Sequence, residues 1–180
     1  LDNLPPQHTA MVVSHYSSLE SCLNDVSTVM NHNLHTCEMM DDIILDCTKK
    51  NAIYNEYRKF VQGNPKALLL LELKADKKND LEKQVDELLI SLKSSKLSYA
   101  YPTLKGDEVN NALELRKAGL GLLGNMVGDH KAVACIEDTA VSLIDLPNYI
   151  REFTALMKKF DQKVVYYAHA GAGELHLRPI

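Results

Sequence analysis

The run "KALLLLELKA" at residues 66–75 narrows the possible folds more than any other stretch of the chain. Its apolar part, "ALLLLEL" at 67–73, is far shorter than the ~18–20 residues a membrane span needs. It is apolar enough to be a central strand of a sheet rather than an edge. The remaining sequence must then supply both the flanking strands and the helices that cover them.

Such partners are present in order. The opening "LDNLPP" reads as a linker, because two prolines lack amide donors and resist helix. "TAMVVSHY" (9–16) and "HTCEMM" (35–40) read as strands. Between them "SSLE" (17–20) has the capping-box form, Ser17 followed three residues later by Glu20. It opens a helix with Leu19, Cys22, Leu23, Val26 and Met30 at helical spacing. Asp41 and Asp42 lead a mostly helical stretch to about Val61, ended by "GNP" (63–65). After the apolar strand, Asp80 can cap a helix striped with Leu81, Val85, Leu88, Leu89 and Leu92. "LSYAYPTL" (97–104) looks extended, and 106–119 helical with Gly119 as its stop. "KAVACIED" (131–138) reads as another strand. In "DLPNYIREFTALMKKF" (145–160), Asp145 caps, Pro147 sits in the first turn, and Ile150, Phe153, Met157 and Phe160 share one side. "KVVYYAH" and "ELHLR" close the chain as strands. The fold class is therefore α+β: ferredoxin-like βαββαβ units, with a largely antiparallel sheet packed against helices.

Charge and motifs exclude several functions. A formal net charge of −4 does not suit a nucleic-acid partner, and no stretch is long and apolar enough for a transmembrane segment. No GxxxxGK[ST] occurs and no GxGxxG opens a helix, so a self-contained nucleotide-binding domain is not expected. The glycines of "AGLGLLGNMVGD" (118–129) read as a loop needing positive φ rather than as a phosphate cradle. The four cysteines show no CxxC spacing, and Cys22, Cys37 and Cys135 read as buried free thiols. That usage, without a visible signal peptide, fits a reducing, cytoplasmic setting.

Chemistry concentrates in "YAHAGAGELHLRPI" at 167–180. If 170–173 form a four-residue loop, His169 faces Glu174, and alternation puts Glu174, His176 and Arg178 on one face. His169 and His176 are then diagonal neighbours roughly 7–8 Å apart at Cα, close enough to meet at one metal ion or substrate group. Two ligands alone fall short of a usual zinc set, so an ordinary hydrogen-bonded hairpin stands beside that reading. Arg116, near a helix end, is either a solvated C-terminal charge or a carboxylate clamp. "IED" (136–138) offers a base or an ordinary strand-end acid pair. His8, His15, His32, His35 and His130 receive no role.

These residues also carry a family likeness. The closing segment resembles the GHxGDGNxH motif of the FAD-linked oxidase C-terminal domain. "IEDTAVSLIDLPNYIREF" (136–153) is similar to the EDxAVP strand and proline-bearing helix that precede it there, and "LPPQHTAMVVSHYSSLESCLNDV" and "MMDDIILD" resemble that domain's beginning. The likeness spans nearly the whole chain. It implies one truncated substrate domain over 1–180, with an FAD-binding domain expected upstream in the same polypeptide. The family, which includes D-lactate dehydrogenase and the glycolate oxidase large subunit, oxidises a small 2-hydroxy acid to the 2-oxo acid by hydride transfer to FAD and passes electrons to an acceptor unknown here. His169 and His176 match the motif histidines, which bind a divalent metal or lie by the substrate, and Arg116 falls where an arginine holds the substrate carboxylate. Ala168, Ala172 and Glu174 replace a glycine, an aspartate and an asparagine, and Ser142 replaces a proline. Glu174 is the acid available to stand in for the missing aspartate at a metal. The "HAGAGELH" and "IEDTAV" variants look most like large members with iron–sulfur segments elsewhere in the polypeptide. Localisation is then cytoplasmic or peripheral at the inner membrane. The competing function is a non-catalytic ferredoxin-like module that binds a small molecule or a protein.

Overall fold

Leu68, Leu69, Leu70 and Leu71 are all completely buried, because their strand has a partner on each edge and helices over both faces. In the computed structural model, which describes residues 5–125 and 129–180, the chain opens with strand β1 (His8–Tyr16), helix α1 (Leu19–Val29) and β2 (Thr36–Asp41). Helices α2 (Asp42–Cys47) and α3 (Ala52–Tyr57) lead to β3 (Ala67–Ala75), α4 (Lys78–Ser95) and β4 (Ser98–Ala100). There follow β5 (Thr103–Lys105), α5 (Asp107–Leu122), β6 (Ile136–Ala140), α6 (Leu146–Lys159), and a closing hairpin of β7 (Val164–His169) and β8 (Glu174–Pro179).

The sheet order is β4-β1-β3-β2-β7-β8-β6, with β5 also beside β1, and every recorded pairing is antiparallel. Its first half, β4-β1-β3-β2 with α1 and α4 as crossovers, is the expected βαββαβ unit. The α+β class is therefore what forms. Alternation along β3 serves two cores. Leu69, Leu71 and Leu73 pack with Cys22, Leu23 and Val26 of α1, Leu88 and Leu92 of α4, and Ile150 of α6. Leu68 and Leu70 pack with Ile44 and Leu45 of α2 and with Val109, Ala112 and Leu115 of α5. Each of these leucines contributes on the order of 1.5–3 kcal/mol by leaving water. A strand served on both faces has no place for polar alternation, which is why 67–71 read as one apolar run before Glu72.

Several boundaries differ from the sequence expectations, each for a local reason. Ser18, not Ser17, caps α1, accepting from the Ser21 amide at 3.1 Å. Lys77 rather than Asp80 precedes α4, and Asp80 lies in its first turn beside the helix's positive end. The stretch from Asp42 breaks into two short helices and a turn, with Asn51 capping the second. Helix α5 runs past Gly119 to Leu122, and Gly119 has no positive φ. A Cβ there would lie 2.5 Å from Ile44 Cγ2, so the glycine permits α2 and α5 to touch. Gly121 and Gly124 likewise have no positive φ, and 126–128 of that glycine-rich stretch lie outside the described residues. So do residues 1–4 of the expected linker.

Strand β6 begins only at Ile136, leaving Cys135 exposed instead of buried; Cys22 and Cys37 are buried as expected. Asp145 makes no cap bond to the α6 backbone; its carboxylate accepts from Ser142 Oγ at 2.6 Å. Phe160, expected on the apolar side of α6, is exposed just past its end. His15 is fully buried: its Nε2 accepts from the Gln62 amide and its Nδ1 lies 2.9 Å from the Val13 carbonyl.

One buried acid fixes where the hairpin sits. Asp41 caps α2 by accepting from the Ile44 amide at 2.9 Å and reaches across to accept from the Tyr166 amide at 2.7 Å. It thereby extends the short β2–β7 pairing, which holds only Met39 to Ala168 and Met40 to Tyr167. Burial pushes its carboxyl up to about 7, against the two amide donors that favour the ionised form.

Candidate active site

The hairpin closes in the register that alternation demands: His169 opposite Glu174, Ala168 opposite Leu175, Tyr167 opposite His176. A single turn over Ala170–Ala172 and Gly173 in the left-handed conformation (φ 68°) make the reversal. Leu175 and Leu177 point into one core, and Val165 and Tyr167 into the other. Tyr167, His169 and His176 share the latter face. The two imidazole centroids are 5.3 Å apart, and Tyr167 lies 5.4 Å from His176 and 6.3 Å from His169. The meeting of the two histidines, expected from spacing, is thus present.

Each imidazole rests on a carboxylate, and each carboxylate on an arginine. His169 Nδ1 lies 3.0 and 3.1 Å from the oxygens of Glu38, which β2 presents from the adjacent strand. Arg116 of α5 reaches Glu38 at 2.5 Å, donates to the Ala168 carbonyl at 3.0 Å, and lies 3.9 Å over the Tyr167 ring. It is only 6% exposed, so it is not the solvated helix-end charge that composition favoured. Burial pulls Arg116 below its ordinary range, and Glu38 opposes that pull.

On the other side His176 Nδ1 lies 2.8 Å from Glu137, whose carboxylate accepts from Arg178 Nε at 2.8 Å and Nη2 at 3.2 Å. Asp138 stands 3.5 Å from the same nitrogen. Burial would raise the Glu137 carboxyl, but Arg178 and His176 together outweigh it and hold the acid below its usual range. The β6–β8 register shifts between Ile136 and Thr139, and Asp138 adopts φ 56° there. Such a bulge re-aims side chains, here turning Glu137 of "IED" toward His176. Glu137 of the strand-end acid pair is therefore bonded to both His176 and Arg178.

Glu174 opposes His169 in the register but does not complete a metal set. Among the described residues no three His, Cys, Asp or Glu side chains converge so as to hold a metal ion. The described residues therefore do not by themselves support the metal site expected on His169, His176 and Glu174, and the free cysteines among them form no iron–sulfur ligand set. Gly119 and Gly121 lie inside α5 without positive φ, so the glycine-rich stretch offers no diphosphate cradle among the described residues.

Sequence reasoning missed Glu38 and Tyr167 and gave Arg178 no task. A charged residue inside the apolar strand "HTCEMM" was the available signal for Glu38. Arg178 already stood on the face of His176 by alternation.

The comparisons with known proteins agree with this architecture. The family described as FAD linked oxidases, C-terminal domain, matches residues 5–180. D-2-hydroxyglutarate dehydrogenases of Haemophilus influenzae and Pseudomonas putida are 27% and 28% identical, over 98% and 99% of this chain. The chain spans only 18% and 19% of those relatives' own lengths. The solved 4-ethylphenol oxidase from Gulosibacter chungangensis, in complex with isoeugenol, superposes with a TM-score of 0.65 over 97% of this chain and 39% of that one. Its 9% identity makes that a likeness of fold alone. Among the described residues no helix is long and apolar enough to cross a membrane. With the family match running from β1 to the histidine hairpin, the chain belongs to the FAD linked oxidases as their C-terminal domain.

Proposed function

We propose that this chain is the substrate-side domain of an FAD-dependent dehydrogenase that oxidises a 2-hydroxy acid to the 2-oxo acid. The observation that carries the reading is the pair of carboxylate-backed imidazoles 5.3 Å apart on one sheet face. Oxidation at the α-carbon is eased when the hydroxyl proton leaves as the hydride does. An imidazole whose Nδ1 leans on Glu137 or Glu38 can take that proton at Nε2. His176, only 9% exposed, is the inner of the two, whereas the His169 side chain is 43% exposed. The flavin, carried by a separate domain, supplies the hydride acceptor when bound.

The relatives' name makes D-2-hydroxyglutarate the first substrate to try; D-lactate and glycolate, expected from the family resemblance, stand beside it. The test is anaerobic mixing of the full-length flavoprotein with each acid while flavin absorbance is followed. Bleaching by one acid within the turnover time supports the reading. A full-length protein that binds no flavin, or whose flavin no 2-hydroxy acid reduces, refutes it.

A further inference from the structure

The site holds two chains of the same composition, built from different parts of the fold. One runs Arg116–Glu38–His169, using α5, β2 and β7. The other runs Arg178–Glu137–His176, using β8 and β6. Their hydrogen-bond direction is fixed by donor and acceptor chemistry. A guanidinium only donates, and an ionised carboxylate only accepts. Each glutamate therefore has nothing to give its histidine, and Nδ1 must carry the proton that joins them. Glu137 accepts from Arg178 Nε and Nη2 at 2.8 and 3.2 Å, and Glu38 lies 2.5 Å from Arg116 in a setting where both are largely buried.

We infer that Glu38 and Glu137 are positioning residues that lock both imidazoles as the Nδ1–H tautomer with Nε2 bare, and that Arg116 and Arg178 act by anchoring those carboxylates. The guanidinium of Arg116 is occupied by Glu38, the Ala168 carbonyl and the Tyr167 ring, which suits an anchor better than a clamp on a substrate carboxylate. Two bare ring nitrogens on one face call for a ligand that brings a donor, such as the hydroxyl of a hydroxy acid. This deepens the reading above, and rests on it only for what the bare nitrogens do.

Ring nitrogen-15 spectra of the full-length protein, labelled at histidine and recorded at mildly alkaline pH, test it directly. The His169→Gln and His176→Gln variants assign the two signals. In the unaltered protein both rings are expected to show a protonated Nδ1 and a pyridine-like Nε2. The double variant Glu137→Leu with Arg178→Met, made in an Asp138→Gly background because Asp138 also stands 3.5 Å from His176 Nδ1, is expected to release His176 alone into a mixture of tautomers. Glu38→Leu with Arg116→Met is expected to release His169 alone. An Nε2–H form or a tautomer mixture in the unaltered protein overturns the inference. So do double variants whose tautomers stay unchanged, which would make the glutamates merely structural. The spectra need no turnover, so native tautomers in a protein that oxidises no hydroxy acid would refute only the proposed reaction.

Discussion

At the scale of single residues, the hairpin was legible because strand alternation is local arithmetic. Once the reversal is placed at 170–173, the facing of His169 and His176 follows, and the structure has it. The supports were not legible, because they come from far away in the chain. Glu38 lies 131 residues from His169, and only the sheet order brings β2 beside β7. Arg116 could not be separated from a solvated helix-end charge without knowing which face of α5 meets the sheet. Its environment carries a prediction. Arg116→Met leaves Glu38, whose side chain is 14% exposed, without its counter-ion, and should cost about 3 kcal/mol in urea unfolding. An unchanged midpoint would mean that the pair contributes nothing. Gly173 gives a second. With φ 68° and a would-be Cβ 2.1 Å from the Val141 carbonyl oxygen, Gly173→Ala should destabilise by about 1–3 kcal/mol or more, seen as a lowered thermal midpoint.

At the scale of elements, type was readable and ends were not. Helix α5 was stopped too early because glycine usually terminates helices, whereas Gly119 serves contact with Ile44. The start of β6 was placed too early because "KAVAC" is apolar enough for a strand, although its backbone pairs only from Ile136. The Asp41 cap was read correctly as a helix start, but its second bond, to β7, is a tertiary event. The burial of that carboxyl has a pH signature. The folded carboxyl titrates at about 7 against 3.8 ordinarily, so the native state holds a proton between those values that the unfolded chain lacks. Its contribution is complete below the unfolded value and is lost as pH rises through about 7. Urea midpoints should therefore fall from about pH 4 to 7, by up to ~1.4 kcal/mol per unit, and Asp41→Asn, which still caps, should flatten that slope. A slope unaffected by the substitution would assign the effect to other groups.

At the scale of the whole molecule, the central strand "KALLLLELKA" predicted a covered sheet, and the βαββαβ half follows from it. That helices cover both faces was not expected, since periodicity shows that a helix has an apolar side but not which core receives it. The consequence for function is positional. Glu38, Arg116, His169 and His176 all lie on the α2–α5 side of the sheet, so the proposed chemistry is confined to a single face. The claim that this face does chemistry is tested most directly by rapid anaerobic mixing of the full-length protein with its reducing hydroxy acid. The rate of flavin bleaching is compared between the unaltered protein and His176→Ala. The account predicts a fall of about 10²–10⁴-fold with bound flavin and thermal midpoint retained. Bleaching at the unaltered rate would contradict it and leave a binding module without catalytic histidines.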